Sequence, residues 1–149
     1  MSRTRKLTPV VDMVRKATES ELARLGETNA LLQRDQYQLD DLIRYREEYL
    51  LRFRQDDPMV MSAKKALELR AFLAQLDQAI HAQQLQVNQS RGQVNNQQKI
   101  WLQARNKEQA LDSLMSRYRA QDVKLEQRRE QRENDEHTNS IWLRKHIPK

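Results

Sequence analysis

The sequence predicts an all-α fold: two long helices forming an antiparallel coiled-coil hairpin, the second helix longer than the first. Three observations lead there. Apolar residues recur with a seven-residue period over most of the chain, glycine and proline are scarce, and one strong breaker stands in the interior. The 149 residues include two glycines and three prolines, where average usage would supply roughly ten glycines. Such a chain has few places to turn. Charged residues make up 32% and apolar residues 38%, which suits a narrow seam between helices better than a broad core with a deep pocket. The expected organisation is a single elongated domain over 1–149.

Taken in order, Ser2 to Lys6 contributes Arg3, Arg5 and Lys6 with no acid and reads as a frayed start. Thr8-Pro9 reads as an N-cap followed by proline at the first helical position, where its missing N–H costs nothing. Helix 1 is then expected over about 9–56. Its seam runs through Val11, Val14, Leu25, Leu32, Leu39, Leu42, Tyr49 and Phe53, with Thr18, Glu21, Thr28, Asp35 and Arg46 as polar interruptions. Gly26 inside it should weaken the helix by about 1 kcal/mol. Gln55-Asp56-Asp57-Pro58 is the breaker, because proline disfavours helical geometry at the residue before it. The breaker occupies 56–61, and Ser62 is placed to cap the second helix.

Helix 2 is expected over about 62–136. Between Ala66 and Leu125, thirteen of eighteen core positions are apolar, a register that a two-residue strand period cannot produce. That stretch alone would extend roughly 90 Å at about 1.5 Å per residue. Turning near residue 58 sets Leu42 roughly opposite Leu76 and Val14 roughly opposite Ala104. It also brings Thr28 and Asp35 near Gln83 and Ser90, a soft middle. Ten of the seventeen residues from Gln83 to Lys99 are Gln or Asn; because Val87 and Val94 keep the register, they read as an exposed helical face. Beyond about 107 helix 1 should have run out, leaving Leu111, Met115, Tyr118 and Leu125 without an intramolecular partner. Residues 126–136 are almost wholly charged. A flexible tail comes next over 137–149, with Ile141-Trp142-Leu143 either a docking peptide or packed back on its own helix.

Chemistry is excluded more readily than it is found. There is no cysteine, and His81, His137 and His146 are too far apart to form a helical ligand pair. No glycine-rich phosphate loop, nucleophile elbow or paired-histidine motif occurs. The carboxylates lie on solvated helix faces. The expectation is a protein that is not an enzyme, with no cofactor and no metal. No apolar run has the length of a membrane span and no secretory signal follows the basic start, so the chain reads as cytoplasmic and not inserted in a membrane. Net charge is +6, and all the excess lies in residues 59–149, with sixteen Lys/Arg against ten Asp/Glu. Four basic residues between Gln78 and Lys107 are too thin a stripe for a nucleic-acid footprint, so no nucleic-acid partner is expected.

The anomaly lies beside the expected turn. Residues 42–53 hold seven apolar or aromatic side chains in twelve, and residues 66–80 hold ten in fifteen. A two-helix seam buries only part of that. Gln38, Leu42, Tyr45 and Tyr49 lie along one edge of helix 1, and Phe72, Leu76, Ala79 and Gln83 repeat the spacing on helix 2. Either these residues complete a wider local core, or the two edges merge into a protein-docking face anchored by the aromatics.

These residues resemble the FliJ family of flagellar export proteins. The likeness is carried by Arg5-Lys6-Leu7-x-Pro9-Val10-Val11, by Leu42-x-x-Tyr45-Arg46-x-x-Tyr49 and by the Phe72/Leu76/Ala79 edge. Trp101-x-x-x-Arg105 followed by Leu111, Leu114 and Arg117 completes it over nearly the whole chain. The resemblance implies a stalk of the type III flagellar export apparatus, similar to the central stalk of rotary ATP synthases. It further implies that the termini-bearing end enters a hexameric export ATPase and promotes its assembly, and that the opposite edge contacts the FlhA-type export gate. The implied gate-binding set is Gln38, Leu42, Tyr45, Tyr49, Phe72, Leu76, Ala79 and Gln83, the last standing where the family often has histidine. Late-substrate export chaperones are implied as further partners, with a location peripheral to the cytoplasmic face of the inner membrane. Weak self-association is a further expectation. Rival readings are the analogous stalk of a virulence type III secretion system, a structural coiled-coil homodimer in which residues 108–136 pair between chains, and a basic membrane-surface or nucleic-acid binder.

Overall fold

The computed structural model describes residues 2–55 and 62–146. Two helices account for them: α1, Ser2–Gln55, and α2, Ala63–His146, packed against each other. Among the described residues there is no strand. The expected breaker at 56–61 lies outside the described residues. Ser62 does cap α2: its hydroxyl accepts from the Lys65 backbone N–H at 3.2 Å, and its carbonyl accepts from Ala66 N–H at 3.1 Å.

The seven-residue period does translate into burial. On α2, Leu76, Val87, Val94 and Met115 are buried, and every other core position from Ala66 to Asp122 is at least half-covered. On α1, Val11, Val14, Leu25 and Leu39 are buried together with the polar Thr18 and Asp35. The seam stays narrow, as the composition requires, and large apolar side chains such as Met13, Tyr37 and Leu67 remain outside it.

Contacts gather into two units, Met1–Thr18 with Gln103–Lys149, and Glu19–Leu102. In each, the α1 and α2 segments run antiparallel. In the first, Thr18 Oγ1 donates to the Ala104 carbonyl at 3.3 Å, and Thr4 Oγ1 donates to Asp122 at 2.7 Å. In the second, Arg46 Nε donates to Asp77 at 2.7 Å, Ser90 Oγ donates to Asp35, and Gln97 donates to Glu21.

Three expectations need correcting. Helix α1 begins at Ser2, so Thr8 is no cap and Pro9 lies inside the helix. Its missing N–H leaves one acceptor unserved near a helix start, where few bonds depend on it. Contacts of Thr4 with Asp122, and of the Arg3 guanidinium 5.7 Å over the Tyr118 ring, hold these first turns. The pairing expected from a turn near residue 58 is met to within a turn: Gln83 and Ser90 donate to Asp35 and Gln97 to Glu21, and it is Thr18, one turn from Val14, that donates to Ala104. Because α1 starts at Ser2, it covers α2 as far as Asp122, where about 107 was expected: Met115 is buried and Leu111 and Tyr118 are half-covered. Only from Val123 on is α2 exposed at every described residue, and Leu125, expected in the seam, is 61% exposed. Helical backbone continues to His146, past the boundary at 136 read from sequence.

Candidate docking face

Within the unit Glu19–Leu102, the α1 turn carrying Tyr45 and Tyr49 meets the α2 turn carrying Phe72. Tyr49 and Phe72 have ring centroids 4.5 Å apart, Tyr45 meets the Phe72 edge at 6.1 Å, and the tyrosines are 6.5 Å apart. Such tilted and edge-on pairs are favourable by about 0.5–1.5 kcal/mol each beyond area burial. Tyr49 and Phe72 are half-buried, whereas Tyr45 is 48% exposed. The pair thus forms a base, and Tyr45 stands on it with much of its ring in water.

Next to Tyr45, an open groove is lined by Gln38, Asp41, Leu42, Tyr45 and Gln83. Gln83 is held there: its Nε2 donates to the Asp35 carbonyl at 2.9 Å and to Gln38 Oε1 at 3.3 Å. Behind the groove, the buried Asp35 accepts from Ser90 Oγ and from Gln86 Nε2 and is approached by Arg34 at 3.5 Å. The Ser90 hydroxyl chiefly, then Gln86 and Arg34, hold the Asp35 carboxyl below the usual carboxylate range; burial pushes the other way and loses. The middle expected to be soft therefore has its polar groups satisfied. A buried carboxylate in such a set specifies one register, since a slipped pairing would leave it without donors.

Of the eight residues singled out by sequence, the groove gathers Gln38, Leu42, Tyr45 and Gln83. Tyr49 and Phe72 support them, and Ala79 is exposed. Leu76 is 8% exposed and belongs to the seam, so it shapes the face from beneath. Sequence reasoning missed Asp41 and the Arg46–Asp77 ion pair. Arg46 sits at a core position and reads as a mere interruption, although an arginine there, beside a seam leucine and an acid on the partner helix, is the available signal.

A family model described as Flagellar FliJ protein matches residues 2–146. The chain belongs to the FliJ family. A curated relative, the Flagellar FliJ protein of Salmonella typhi, is 27% identical over 134 residues, covering 90% of this chain and 91% of its own. No solved structure gives a significant match. Membership makes this FliJ-family chain a component of flagellar protein export, in a family whose part there is non-catalytic. Among the described residues, no helix is long and apolar enough to cross a membrane.

Proposed function

We propose that this chain is the stalk and coupling component of flagellar export, promoting assembly of the export ATPase ring and linking it to an FlhA-type gate and to late-substrate chaperones. It acts without catalysis, at the cytoplasmic face of the inner membrane and peripheral to it. The observation that carries the gate contact is Tyr45, half in water on the Tyr49–Phe72 pair and beside the groove of Gln38, Leu42 and Gln83. A rigid aromatic on a packed base loses little conformational freedom on binding, which is what an interface anchor requires. Ala79 widens the face, and Leu76 and Phe72 fix its shape. Matching of the flagellar family favours a flagellar over a virulence apparatus.

The test is to titrate the purified chain into the export ATPase of the same organism, following hydrolysis rate and ring formation. Stimulation at fewer chains than ATPase protomers is the expected result. An unchanged rate and unchanged assembly would refute the stalk reading and leave the homodimer and surface-binder readings ahead of it.

A further inference from the structure

Past its last covered residue, Asp122, α2 contains two unlike stretches. From Glu126 to Ser140 none of fifteen consecutive residues is apolar, and every one is exposed. Ion pairs along the helix itself, such as Arg129 with Glu133 at 3.5 Å, help this part stand in water. Ile141, Trp142 and Leu143 then follow one another, all exposed, the indole at 58%. Arg144 and Lys145 adjoin them, and residues 137–146 contain no acid. Neither the seam nor the proposed gate face uses these residues.

Their arrangement says what medium they suit. Successive helical residues are about 100° apart, so the three apolar side chains spread over about 200° of the helix circumference. Among the described residues, none of the three has an apolar neighbour three or four positions away, which is the spacing that a groove on a folded partner reads. Two cations are too few for a nucleic-acid footprint. Apolar groups set around a helix end, with cations beside them, match a medium that yields on several sides, the headgroup layer of an anionic bilayer. An indole settles at that level, and Arg144 and Lys145 reach lipid phosphates while their stems stay in the apolar layer. Trp142 is also ordered in advance. Its ring stacks on that of His146, with centroids 4.5 Å apart and planes 19° apart, and His146 Nδ1 donates to the Trp142 carbonyl at 2.8 Å. A side chain already held loses less freedom on transfer.

We infer that the end of α2, Ile141 to His146, is an interfacial anchor that touches the headgroup layer of an anionic membrane without spanning it. The inference adds a direct lipid contact to the peripheral placement proposed above and depends on neither the ATPase nor the gate. One apolar turn with two cations gives weak, reversible binding, so the chain makes and leaves this contact readily.

The experiment mixes the purified full chain with vesicles of phosphatidylcholine alone or with about 30% phosphatidylglycerol. The bound fraction is measured by sedimentation, together with the indole emission, between about 50 and 300 mM salt. Wild type should bind the anionic vesicles, less as salt rises, and hardly bind the neutral ones. Its emission should move to shorter wavelength, and should still do so in Trp101→Phe. Trp142→Ala with Leu143→Ala should lose about tenfold or more in vesicle affinity, and Arg144→Gln with Lys145→Gln about tenfold. The control, Arg128→Gln with Arg129→Gln, removes the same charge about 24 Å back along the helix, beyond a Debye length, and should change little. Circular dichroism checks that each variant keeps its helices. No vesicle binding by wild type would overturn the inference, leaving the stalk reading intact and the peripheral placement to the gate. An equal loss in the Arg128, Arg129 control would overturn it in favour of general adsorption of charge. So would vesicle binding unchanged by Trp142→Ala with Leu143→Ala; if that pair instead weakened binding to the ATPase or to a soluble gate domain, this end would dock on a protein.

Discussion

At the scale of single residues, Asp35 and Tyr45 each carry a distinct physical demand. The Asp35 carboxyl titrates lower in the folded chain than in the unfolded one, chiefly because Ser90 donates to it. Its stabilising contribution is therefore full above the unfolded value of 3.8 and is lost as pH falls through the lower folded value. Thermal melts from pH 6 to pH 3 should show stability falling below about pH 4, and Asp35→Asn should flatten part of that fall. Asp122, also lowered, chiefly by the Thr4 hydroxyl, acts with the same sign and supplies part of what remains. An unchanged slope in Asp35→Asn would mean that the carboxyl binds protons alike in the folded and unfolded chain, so that the Ser90 contact does not lower it. The tyrosines should separate in another way. Tyr45→Ala removes a half-exposed ring and is expected to cost under about 1 kcal/mol, whereas Tyr49→Ala opens the stack on Phe72 and should cost about 2–3 kcal/mol. Gate binding should be lost in both. A destabilised Tyr45→Ala that still binds the gate would make Tyr45 part of the core.

At the scale of the helices, what matters is how little of each is buried. Gly26 lies inside α1 with ordinary helical geometry, and a Cβ added there meets nothing within 4 Å. Gly26→Ala should therefore raise stability by about 0.5–1 kcal/mol, read from a denaturation midpoint at constant m-value. For α2, every described residue from Val123 is exposed. Ending the chain after Asp122 should leave the melting temperature of the remainder within about 2 °C, because no buried apolar area is removed; a larger drop would mean those turns hold something in place. The sequence is legible here in proportion to the physics that writes it. The seam residues from Val11 to Phe53 and from Ala66 to Tyr118 come directly from the seven-residue period, since a narrow stripe is the only apolar surface two helices can share. The start of α1 was not legible, because Thr8-Pro9 has the local chemistry of a cap, and only the contacts of Thr4 and Arg3 across the pair override it. The pairing register was legible to within about a turn, since a turn near residue 58 brings Asp35 to Gln83 and Ser90; which donor serves which oxygen was not. For the docking face, the edge positions could be read from spacing. The division of labour between Tyr45 and Tyr49 could not, because it is set by a ring on the other helix.

At the scale of the whole molecule, the proposed gate face draws its residues from the unit Glu19–Leu102. Its anchor, Tyr45, rests on Tyr49 and Phe72. Substitutions at separate sites without shared partners change free energies additively, so the two binding activities should be separable. Tyr45→Ala should abolish gate binding and still stimulate the ATPase at the wild-type half-maximal concentration. A stronger consequence concerns coupling. A ligand shifts affinity at a second site only if it distinguishes two states of the protein between them, and a slipped pairing around Asp35 would strip its carboxylate of Ser90 and Gln86. Saturating the chain with a soluble gate domain should therefore move half-maximal ATPase stimulation by less than about twofold, a coupling under roughly 0.5 kcal/mol. The measurement is one stimulation curve with and one without the gate domain. A larger shift that Asp35→Asn abolishes would identify the polar middle as a switch, and the chain as a transmitter between its partners rather than a passive link.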